Sequence, residues 1–421
     1  MRGLAARAIS DLSELDLAVA RVLHVNGQST AQTVATTERL AKKLGLPATI
    51  IPRWDAVELR IRDGSGSVVS VEAGSPIGVD MHRVASAMRL TDEIGAGRIA
   101  PAAALERIHA IAHAPPTATW LFTLGAAAGA AALSVIFGVQ HSAAVGLIVL
   151  SAAAGAILRR TLVRYSTNIF LQPFCAALLA GGIGALAVRL NLSSSLRLVA
   201  VCPCMILVPG PHVLNGTMDL MDARINLGAA RLIYAGLIVL AISLGLLLGL
   251  AALGVDLPAS EPGRAVPLWL DVIAAGVAVA AYSIFFSTPP RMLGWPIAVG
   301  MLAHALRWWT LEAGAGTATG ALVACTVVGL ILTPVARRWQ MPFAAIAFAS
   351  VVSMIPGVYL FRTASGLVQL ANDTHSTFQL LRATLADGVT AMMVILAMTV
   401  GVVVPKFVVD RFADVAITSK P

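Results

Sequence analysis

The pattern of apolar and polar positions changes near residue 118 and divides the chain into two parts. From residue 119 onward long apolar runs follow one another, and most approach the roughly 20 residues that a helix needs to cross a bilayer. There are ten such runs, at 119–138, 142–158, 168–188, 198–215, 232–254, 266–287, 292–308, 317–335, 342–361 and 384–408. The pattern predicts an α-helical polytopic membrane protein with ten transmembrane helices.

Residues 1–118 show shorter periods, which are typical of a small domain outside the membrane. Apolar residues at helical spacing predict four helices, over Asp11–Val25, Ser29–Leu44, Asp80–Glu93 and Pro101–Ala112. Three short β-like runs separate the second helix from the third, at Ala48–Ile51, Ala56–Ile61 and Ser67–Val71. We therefore predict a cytoplasmic α/β domain over 1–118, with regulation or assembly as its default role.

Two of the apolar runs contain a Pro-Gly helix break. Pro209-Gly210-Pro211 lies in the fourth run and Pro356-Gly357 in the ninth. Proline lacks an N–H and clashes with the preceding turn, so a continuous helix is not expected there. In a membrane the freed carbonyls need partners from protein or from a water-filled cavity, and transporters commonly build their sites at such breaks. The alternative is a kink followed by an amphipathic surface helix.

The spacing of the runs indicates an internal repeat. Pro209-Gly210 recurs as Pro356-Gly357 at an offset of 147, and the first and sixth runs begin at the same offset. The membrane part then consists of a first five-helix module (119–254), a linker (255–265) and a second five-helix module (266–421). Five spans is an odd number, so the two halves would have opposite orientations, as in the inverted repeats of many secondary transporters.

Composition and charge agree with a membrane protein. Of the 421 residues 57% are hydrophobic and only 12% are charged, and the mean hydropathy is +0.82. Residues 1–118 carry a net charge of +1 and residues 119–421 a net charge of +7, so the basic excess orients the spans and does not indicate nucleic-acid binding. With the N-terminal domain inside, the Lys/Arg count is eleven inside against six outside. This places both termini in the cytoplasm and the 255–265 linker outside.

A few polar residues near the breaks are candidates for chemistry, because ionisable groups are expensive to bury in a membrane. Asp219 and Asp222 share one helical face after the first break, and Asp271 lies early in the sixth run. These three carboxylates are the proton-coupling candidates. Gln172, followed by Pro173, forms a further polar break in the third run. The alternatives are a solvated linker for the Asp219–Asp222 pair and an interfacial position for Asp271.

An amino-acid zwitterion needs N–H donors for its carboxylate and acceptors for its ammonium group. The N-termini of half-helices supply such donors, which here would begin at Pro209-Gly210 and Pro356-Gly357. Asn215 or Asp219 could accept from the ammonium group, and the amide of Gln172 could either bond a substrate or simply satisfy the backbone. A dicarboxylate would require more cationic partners, and the residues alone do not decide between these substrates.

Enzyme, metal and nucleotide chemistry find little support in the sequence. His109 and His113 have a spacing of i, i+4 but no evident third metal ligand, and Cys202 and Cys204 lie in an apolar run. Residues 1–118 carry no Ser/His/Asp arrangement, and no Gly-rich loop with a lysine indicates ATP drive. No cofactor, metal ion or catalytic residue is therefore predicted.

Several stretches resemble the threonine/serine exporter family in its fused two-module form. VPGPHVLNGTMDLMDARINLGAARL (208–232) resembles the family's break-and-acidic motif. FFSTPPRMLGWPIAVG (285–300) and MPFAAIAFASVVSMIPGVYLFR (341–362) resemble its second membrane module. GQSTAQTVATTERLAKKLGL (27–46) and GVDMHRVASAMRL (78–90) resemble its soluble first module. The resemblance covers nearly the whole chain, although Pro211-His212 after the first break is less usual for the family.

The resemblance implies an exporter of L-threonine and L-serine in the bacterial cytoplasmic membrane, driven by the proton gradient. Its partners would be the amino-acid substrate, protons and the lipid bilayer, with no nucleic acid. Whether the protein forms a homo-oligomer is left open by the resemblance. By position, Pro209, Gly210, Asn215, Asp219 and Arg231 match the motif of the first module, and Pro356, Gly357 and Arg362 match that of the second. Two alternatives remain: a dicarboxylate exporter of the succinate type, and a membrane-anchored enzyme or sensor that acts through the soluble domain.

Overall fold

The computed structural model describes residues 2–63, 66–139, 141–190, 196–257, 266–339, 341–372 and 378–418. Most of the predicted linker 255–265 lies outside these ranges. Within them the chain forms sixteen α-helices, two short 3-10 helices and one three-stranded sheet. The sheet and the first four helices precede residue 118, and the remaining helices form a bundle.

The N-terminal elements follow the sequence pattern closely. The helices are α1 (Arg2–Val25), α2 (Thr30–Lys43), α3 (Met81–Gly95) and α4 (Pro101–Ala112), and the strands are β1 (Ala48–Pro52), β2 (Ala56–Asp63) and β3 (Gly66–Ala73). All four predicted helices and all three predicted strands are confirmed, with α1 beginning nine residues earlier than the predicted start at Asp11. The strands pair antiparallel in the order β1-β2-β3.

Helix α1 organises this part of the chain because both of its faces are apolar. One face, with Leu15 and Val19, packs on α3 and α4, where Val84 and Ile108 are fully buried. The other face, with Leu17, packs on the buried side chains of β1 and β2. Helix α3 begins with a side-chain cap, in which Asp80 accepts a hydrogen bond from the backbone N–H of Arg83 at 3.0 Å.

The bundle contains twelve helices. Their bounds are α5 (Thr119–Ile136), α6 (Ser142–Leu162), α7 (Leu171–Arg189), α8 (Leu196–Met205), α9 (Gly210–Met221), α10 (Ile225–Ala251), α11 (Leu268–Phe285), α12 (Gly294–Glu312), α13 (Thr317–Trp339), α14 (Phe343–Val351), α15 (Gly357–Ala371) and α16 (Phe378–Thr418). Short 3-10 helices lie at Pro290–Met292 and Val352–Met354. Among the described residues, seven helices are long and apolar enough to cross a membrane, or nine if each bent pair is one span.

The seventh predicted run accounts for the difference between the ten predicted spans and the nine that the described helices can form. It forms α12, which has the length of a span but is less apolar because it includes two tryptophans, His304 and Arg307. The break predicted at Gln172-Pro173 is wrong. Helix α7 runs without interruption, and Pro173 occupies its first turn, where a missing N–H leaves no internal hydrogen bond unmade.

Both Pro-Gly breaks are confirmed. Helix α8 and helix α9 meet at 52°, with Pro209 as the residue before α9, and the segment Phe343–Met354 meets α15 at 65°, with Pro356 as the residue before α15. The breaks contact each other's helices. A Cβ added at Gly210 would lie 1.5 Å from Cε2 of Phe348 on α14, and one at Gly357 would lie 2.8 Å from Cγ of Met205 on α8. Only glycine fits at this crossing.

The same neighbours recur in the two halves of the bundle. The contacts α5–α6, α6–α7 and α7–α10 of the first half correspond to α11–α12, α12–α13 and α13–α16 of the second. The broken pair α8–α9 packs on α5, α6, α7 and α10, and the broken pair α14–α15 packs on the corresponding helices α11, α12, α13 and α16. Helix α5 also packs directly on α11.

The N-terminal elements contact one end of the bundle. The backbone N–H of Met81 donates to the Phe286 carbonyl at 2.9 Å, and Asn215 Nδ2 donates to the Gly27 carbonyl at 3.1 Å. Trp54 packs on Tyr234 of α10, with ring centroids 5.4 Å apart. These contacts define a domain-side end of the bundle, which includes the start of α5 and the ends of α9 and α11. The end of α5 and the start of α11 lie at the opposite, distal end.

Candidate functional site

A cavity of about 420 Å³ opens at the distal end, and we call it the distal cavity. It is lined by the end of α5, the starts of α11, α13 and α15, and the end of α12. Its polar lining comes from Asp271, Arg307, Glu312, Thr317, Ser353 and Tyr359. The second Pro-Gly break borders it through Pro356. Residues far apart in sequence thus bring two acids, one base and three hydroxyl groups to one space.

Asp271, His304 and Ser353 form a hydrogen-bonded chain at the wall of the distal cavity. Nδ1 of His304 lies 2.9 Å from Oδ2 of Asp271, and Nε2 of His304 contacts the Ser353 hydroxyl. His304 is fully buried, and Asp271 is 4% exposed. One ring nitrogen thus meets a carboxylate and the other a hydroxyl, so both nitrogens of the buried imidazole have hydrogen-bond partners. The chain links three polar side chains beside the cavity.

Arg307 faces the same cavity one turn after His304 on α12. Among the described residues, no carboxylate lies within ion-pair distance of its guanidinium group. The N-terminus of α15 also borders the cavity, through Pro356, Val358 and Tyr359. The first amides of a helix lack partners within the helix and carry a partial positive charge. An anionic group in this cavity would thus meet Arg307 and helix amides, and a cationic group would meet Asp271.

A second cavity, of about 620 Å³, lies at the domain-side end, and we call it the domain-side cavity. It is lined by the start of α2 from the N-terminal part, the ends of α9, α13 and α16, and Phe343 of α14. Its charged lining is balanced, with the acids Asp219, Asp222 and Asp410 and the bases Arg337, Lys406 and Arg411. Asp410 binds Lys406 at 2.6 Å and Arg337 at 3.1 Å.

Asp219 forms a buried ion pair beside this cavity. Its Oδ2 lies 3.0 Å from Nε of Arg231 on α10, and the two residues are 1% and 0% exposed. Arg224 is farther away, with its guanidinium 3.7 Å from Oδ1 of Asp219. Neither terminal nitrogen of Arg231 has a hydrogen-bond partner among the described residues. Because unpaired buried charges are costly, Asp219 is the group that makes a buried Arg231 tolerable.

One face of α9 is polar although it is buried. His212, Asn215 and Asp219 lie on it at helical spacing, and all three are less than 7% exposed. Asn215 binds the loop after α1, and the His212 ring packs on Tyr234 with centroids 5.0 Å apart. This face meets the N-terminal part of the chain and not lipid, which explains why polar groups are present in an otherwise apolar region.

Two titratable groups of α1 have strongly shifted pKa values. Burial lowers the pKa of His24 to about 3, with a further contribution from the nearby Arg231 guanidinium, and the hydrogen bond to the Arg53 carbonyl opposes this. Burial raises the pKa of Asp16 to about 8, and the Glu38 carboxylate adds to the effect. His24 is therefore neutral at physiological pH, and Asp16 is largely protonated.

The predicted substrate residues lie in different places. Pro209, Gly210 and Pro356 border a third cavity, of about 340 Å³, whose described lining is apolar apart from Thr399. Asn215 contacts the N-terminal part of the chain, and Gln172 lies half-buried at the domain-side start of α7, outside all three cavities. Of these residues, Pro356 alone also borders the distal cavity, where the charged groups converge.

The predicted proton-coupling residues also separate. Asp271 lies in the distal cavity, and Asp219 and Asp222 lie at the domain-side cavity. Both carboxylates contact Arg224, at 3.7 Å and 2.7 Å, but Asp219 is buried against Arg231 whereas Asp222 is exposed at the end of α9. Sequence reasoning missed the partnership of Asp271 with His304 and Ser353, although a histidine and an arginine one turn apart in an apolar run were a visible signal.

Sequence comparisons cover most of the chain. A family model described as "Putative threonine/serine exporter" matches residues 14–253, and one described as "Threonine/Serine exporter, ThrE" matches residues 271–408. A protein of Mycobacterium tuberculosis described as "Probable threonine/serine exporter" is 24% identical over 387 residues, which cover 86% of this chain and 70% of that protein. No solved structure matches the chain.

Proposed function

Because the chain belongs to the threonine/serine exporter family, which consists of transporters and not enzymes, we propose that it exports L-threonine and L-serine from the cytoplasm. The observation that carries this proposal is the distal cavity, where Arg307 and the α15 N-terminus oppose Asp271. Opposite charges in one small space suit a zwitterion, since each charged group of the substrate meets a complementary one. With two acids and one base lining it, the cavity is a poor match for a dicarboxylate.

In the transport cycle that we infer, a proton and the substrate ammonium group compete for Asp271. While Asp271 is ionised, it holds the ammonium group. Protonation of the Asp271–His304 pair removes its net negative charge and weakens that attraction. Release of substrate and uptake of a proton at the same end of the bundle would make the protein a proton-driven antiporter.

The proposed architecture is that of ten spans in two inverted five-helix modules, 119–254 and 266–421, joined by the external linker 255–265. The recurrence of helix neighbours in the two halves supports this arrangement. Residues 1–118 would form a cytoplasmic domain, since they contact the end of the bundle opposite the distal cavity. The protein would then lie in the bacterial cytoplasmic membrane with both termini inside.

The test is transport in proteoliposomes that contain the purified full chain. Labelled threonine, serine and succinate are compared with and without an imposed pH gradient. We expect gradient-dependent flux of threonine and serine. Succinate flux without threonine or serine flux would replace the proposal with dicarboxylate export, and no flux of the three would refute it.

Arg307→Gln tests the site itself. It should lower the apparent affinity for threonine about ten- to hundredfold, since a hydrogen bond to a charged group contributes about 1.5 to 3 kcal/mol. The matched control is Arg338→Gln, because Arg338 is exposed and lies outside the three cavities. Equal effects of the two substitutions would contradict a role of the distal cavity in binding.

His304→Gln separates proton coupling from substrate binding. It removes the titratable ring and keeps the Asp271 carboxylate, so threonine–threonine exchange should persist while export driven by the pH gradient is lost. Ser350→Ala serves as a control for Ser353→Ala, because Ser350 bonds the Pro296 and Ile346 carbonyls and does not contact His304. Ser353→Ala should slow gradient-driven export about five- to tenfold, through the loss of about 1 to 1.4 kcal/mol. Gradient-driven export that survives His304→Gln would remove this pair from the coupling mechanism.

A further inference from the structure

We propose that an acyl chain of a membrane phospholipid fills the third cavity, which has a volume of about 340 Å³ and lies between the two halves of the bundle. We call it the break cavity, because Pro209, Gly210 and Pro356 of the two breaks border it. The acyl chain would form part of the contact between the halves. This inference goes beyond the proposed function and does not depend on which substrate the protein exports.

The two halves are packed together on one side of the bundle and separated on the other. Helix α5 packs directly on α11, where a Cβ added at Gly125 would lie 3.2 Å from the Ala281 carbonyl oxygen. The last helices of the two halves, α10 and α16, form no comparable interface among the described residues, and both are long and apolar enough to cross a membrane. The break cavity occupies the space between them, with α9, α14 and α15 completing its lining.

The lining of the break cavity suits hydrocarbon and not a charged ligand. Its described residues include no charged side chain, and the one side-chain hydroxyl among them belongs to Thr399. That hydroxyl donates to the Ile395 carbonyl at 2.7 Å, so its hydrogen is already used within α16. A zwitterion or a dicarboxylate would lose its hydration here without meeting a compensating charge. The ligand that matches this lining is therefore apolar.

The break cavity opens toward the surface that the bilayer would cover. Gly236 lines the cavity and is exposed, and a Cβ added there would have no heavy atom within 4 Å. The outer faces of the two bounding helices are exposed and apolar, with Leu240 on α10 and Met392 and Leu396 on α16. Apolar surface of this kind on membrane spans contacts lipid tails, which are as apolar as leucine. Acyl chains thus lie at the mouth of the cavity.

An acyl chain fills this space better than water or a void. Side chains around a void lose the attractive contacts on that side. A buried water needs roughly two to four polar partners, which the apolar lining does not offer. A hydrocarbon chain restores the contacts without requiring any hydrogen bond. Because Pro209 and Pro356 both border the cavity, a chain in it touches both breaks.

The experiment is photo-crosslinking of the purified full chain in vesicles of phosphatidylcholine. The lipid carries a diazirine in the middle of one acyl chain, and adducts are located by peptide mass spectrometry. We expect adducts at Val213 and Leu360, which line the break cavity. Adducts at Leu240, which is exposed on α10 and lies outside the cavity, give the internal reference for contact with bulk lipid.

Two substitutions should close the cavity to lipid. Gly236→Leu should lower the ratio of inner to outer adducts by about fivefold or more, because the new side chain takes the space and the contacts of the acyl chain. Val239→Phe, one turn later in the lining, should act in the same direction. The matched control is Gly146→Leu, because Gly146 is also exposed on a spanning helix with open space around it but lies outside the cavity.

Thermal unfolding of delipidated protein in detergent provides a second measurement. A ligand that binds the folded state raises the melting temperature. Added phosphatidylcholine should therefore stabilise the unsubstituted chain and the Gly146→Leu control more than Gly236→Leu. The same scans show whether each variant is folded before its adducts are compared.

Three outcomes would overturn the inference. Adducts at Leu240 without adducts at Val213 or Leu360 would show that acyl chains stay outside the cavity. Inner adducts of equal yield in Gly236→Leu, Val239→Phe and the control would show that lipid reaches these positions by another route. Loss of dimers in Gly236→Leu, measured by energy transfer between labelled chains and without inner adducts in the unsubstituted chain, would assign the cavity to a second copy. None of these results requires threonine flux, so the proposed function is tested separately.

Discussion

The Asp219–Arg231 pair offers a sharp test of the buried electrostatics. Arg231 is completely buried in α10, and its Nε lies 3.0 Å from the Asp219 carboxylate. Among the described residues it has no other ion-pair partner. Asp219→Asn keeps the shape of the side chain and removes its charge, which leaves a buried guanidinium without a counter-ion.

The expected magnitude follows from the burial of both groups. Removing one partner of a buried ion pair typically destabilises a protein by about 3 to 5 kcal/mol, because the other charge stays desolvated. Arg231→Met should cost less than Asp219→Asn, because Arg224 remains 3.7 Å from Asp219 and is one-third exposed. The double variant Asp219→Asn/Arg231→Met should recover most of the loss, since no buried charge is left uncompensated.

The assay is equilibrium unfolding of the purified full chain in mixed detergent micelles, with the four proteins of the double-mutant cycle measured side by side. The reasoning requires a favourable coupling free energy of at least about 2 kcal/mol between the two positions. A loss below about 1 kcal/mol for Asp219→Asn would refute it, because water or another group would then be satisfying Arg231.

Two further predictions concern stability elsewhere in the chain. Gly210→Ala places a methyl group within 1.5 Å of the Phe348 ring and should destabilise the folded protein by about 1 to 3 kcal/mol. The control Gly236→Ala has open space around it and should leave stability unchanged. Equal melting temperatures of the two variants would contradict the close crossing. For Asp16, the pKa is raised from 3.8 to about 8, so the folded state keeps a proton that the unfolded chain loses, and stability present below pH 4 should decline as pH rises toward 8. Asp16→Asn should flatten this decline, which approaches about 1.4 kcal/mol per pH unit, and an unchanged pH slope would show that Asp16 is solvated.

The sequence by itself determined the local elements of this protein. The strands of the N-terminal part and the helix starting at Pro101 agree with the prediction from sequence, because hydrophobic periodicity and turn residues act over a few positions of the chain. The breaks at Pro209-Gly210 and Pro356-Gly357 matched for the same reason, since a missing N–H acts within one turn. The break predicted at Gln172-Pro173 was wrong, because the sequence does not show whether a proline lies in the first turn of a helix or in its interior. In the first turn of α7, Pro173 removes no hydrogen bond within the helix.

Only the tertiary structure decided which polar groups meet. Asp271 and Ser353 lie 33 and 49 residues from His304 along the chain, and helix packing alone brings them to one imidazole. The same holds for the contact of Asn215 with Gly27, 188 residues away, which turns a polar helix face toward the N-terminal part. Periodicity identifies a buried face, but the partner of that face depends on how the helices cross, and that is a property of the whole bundle.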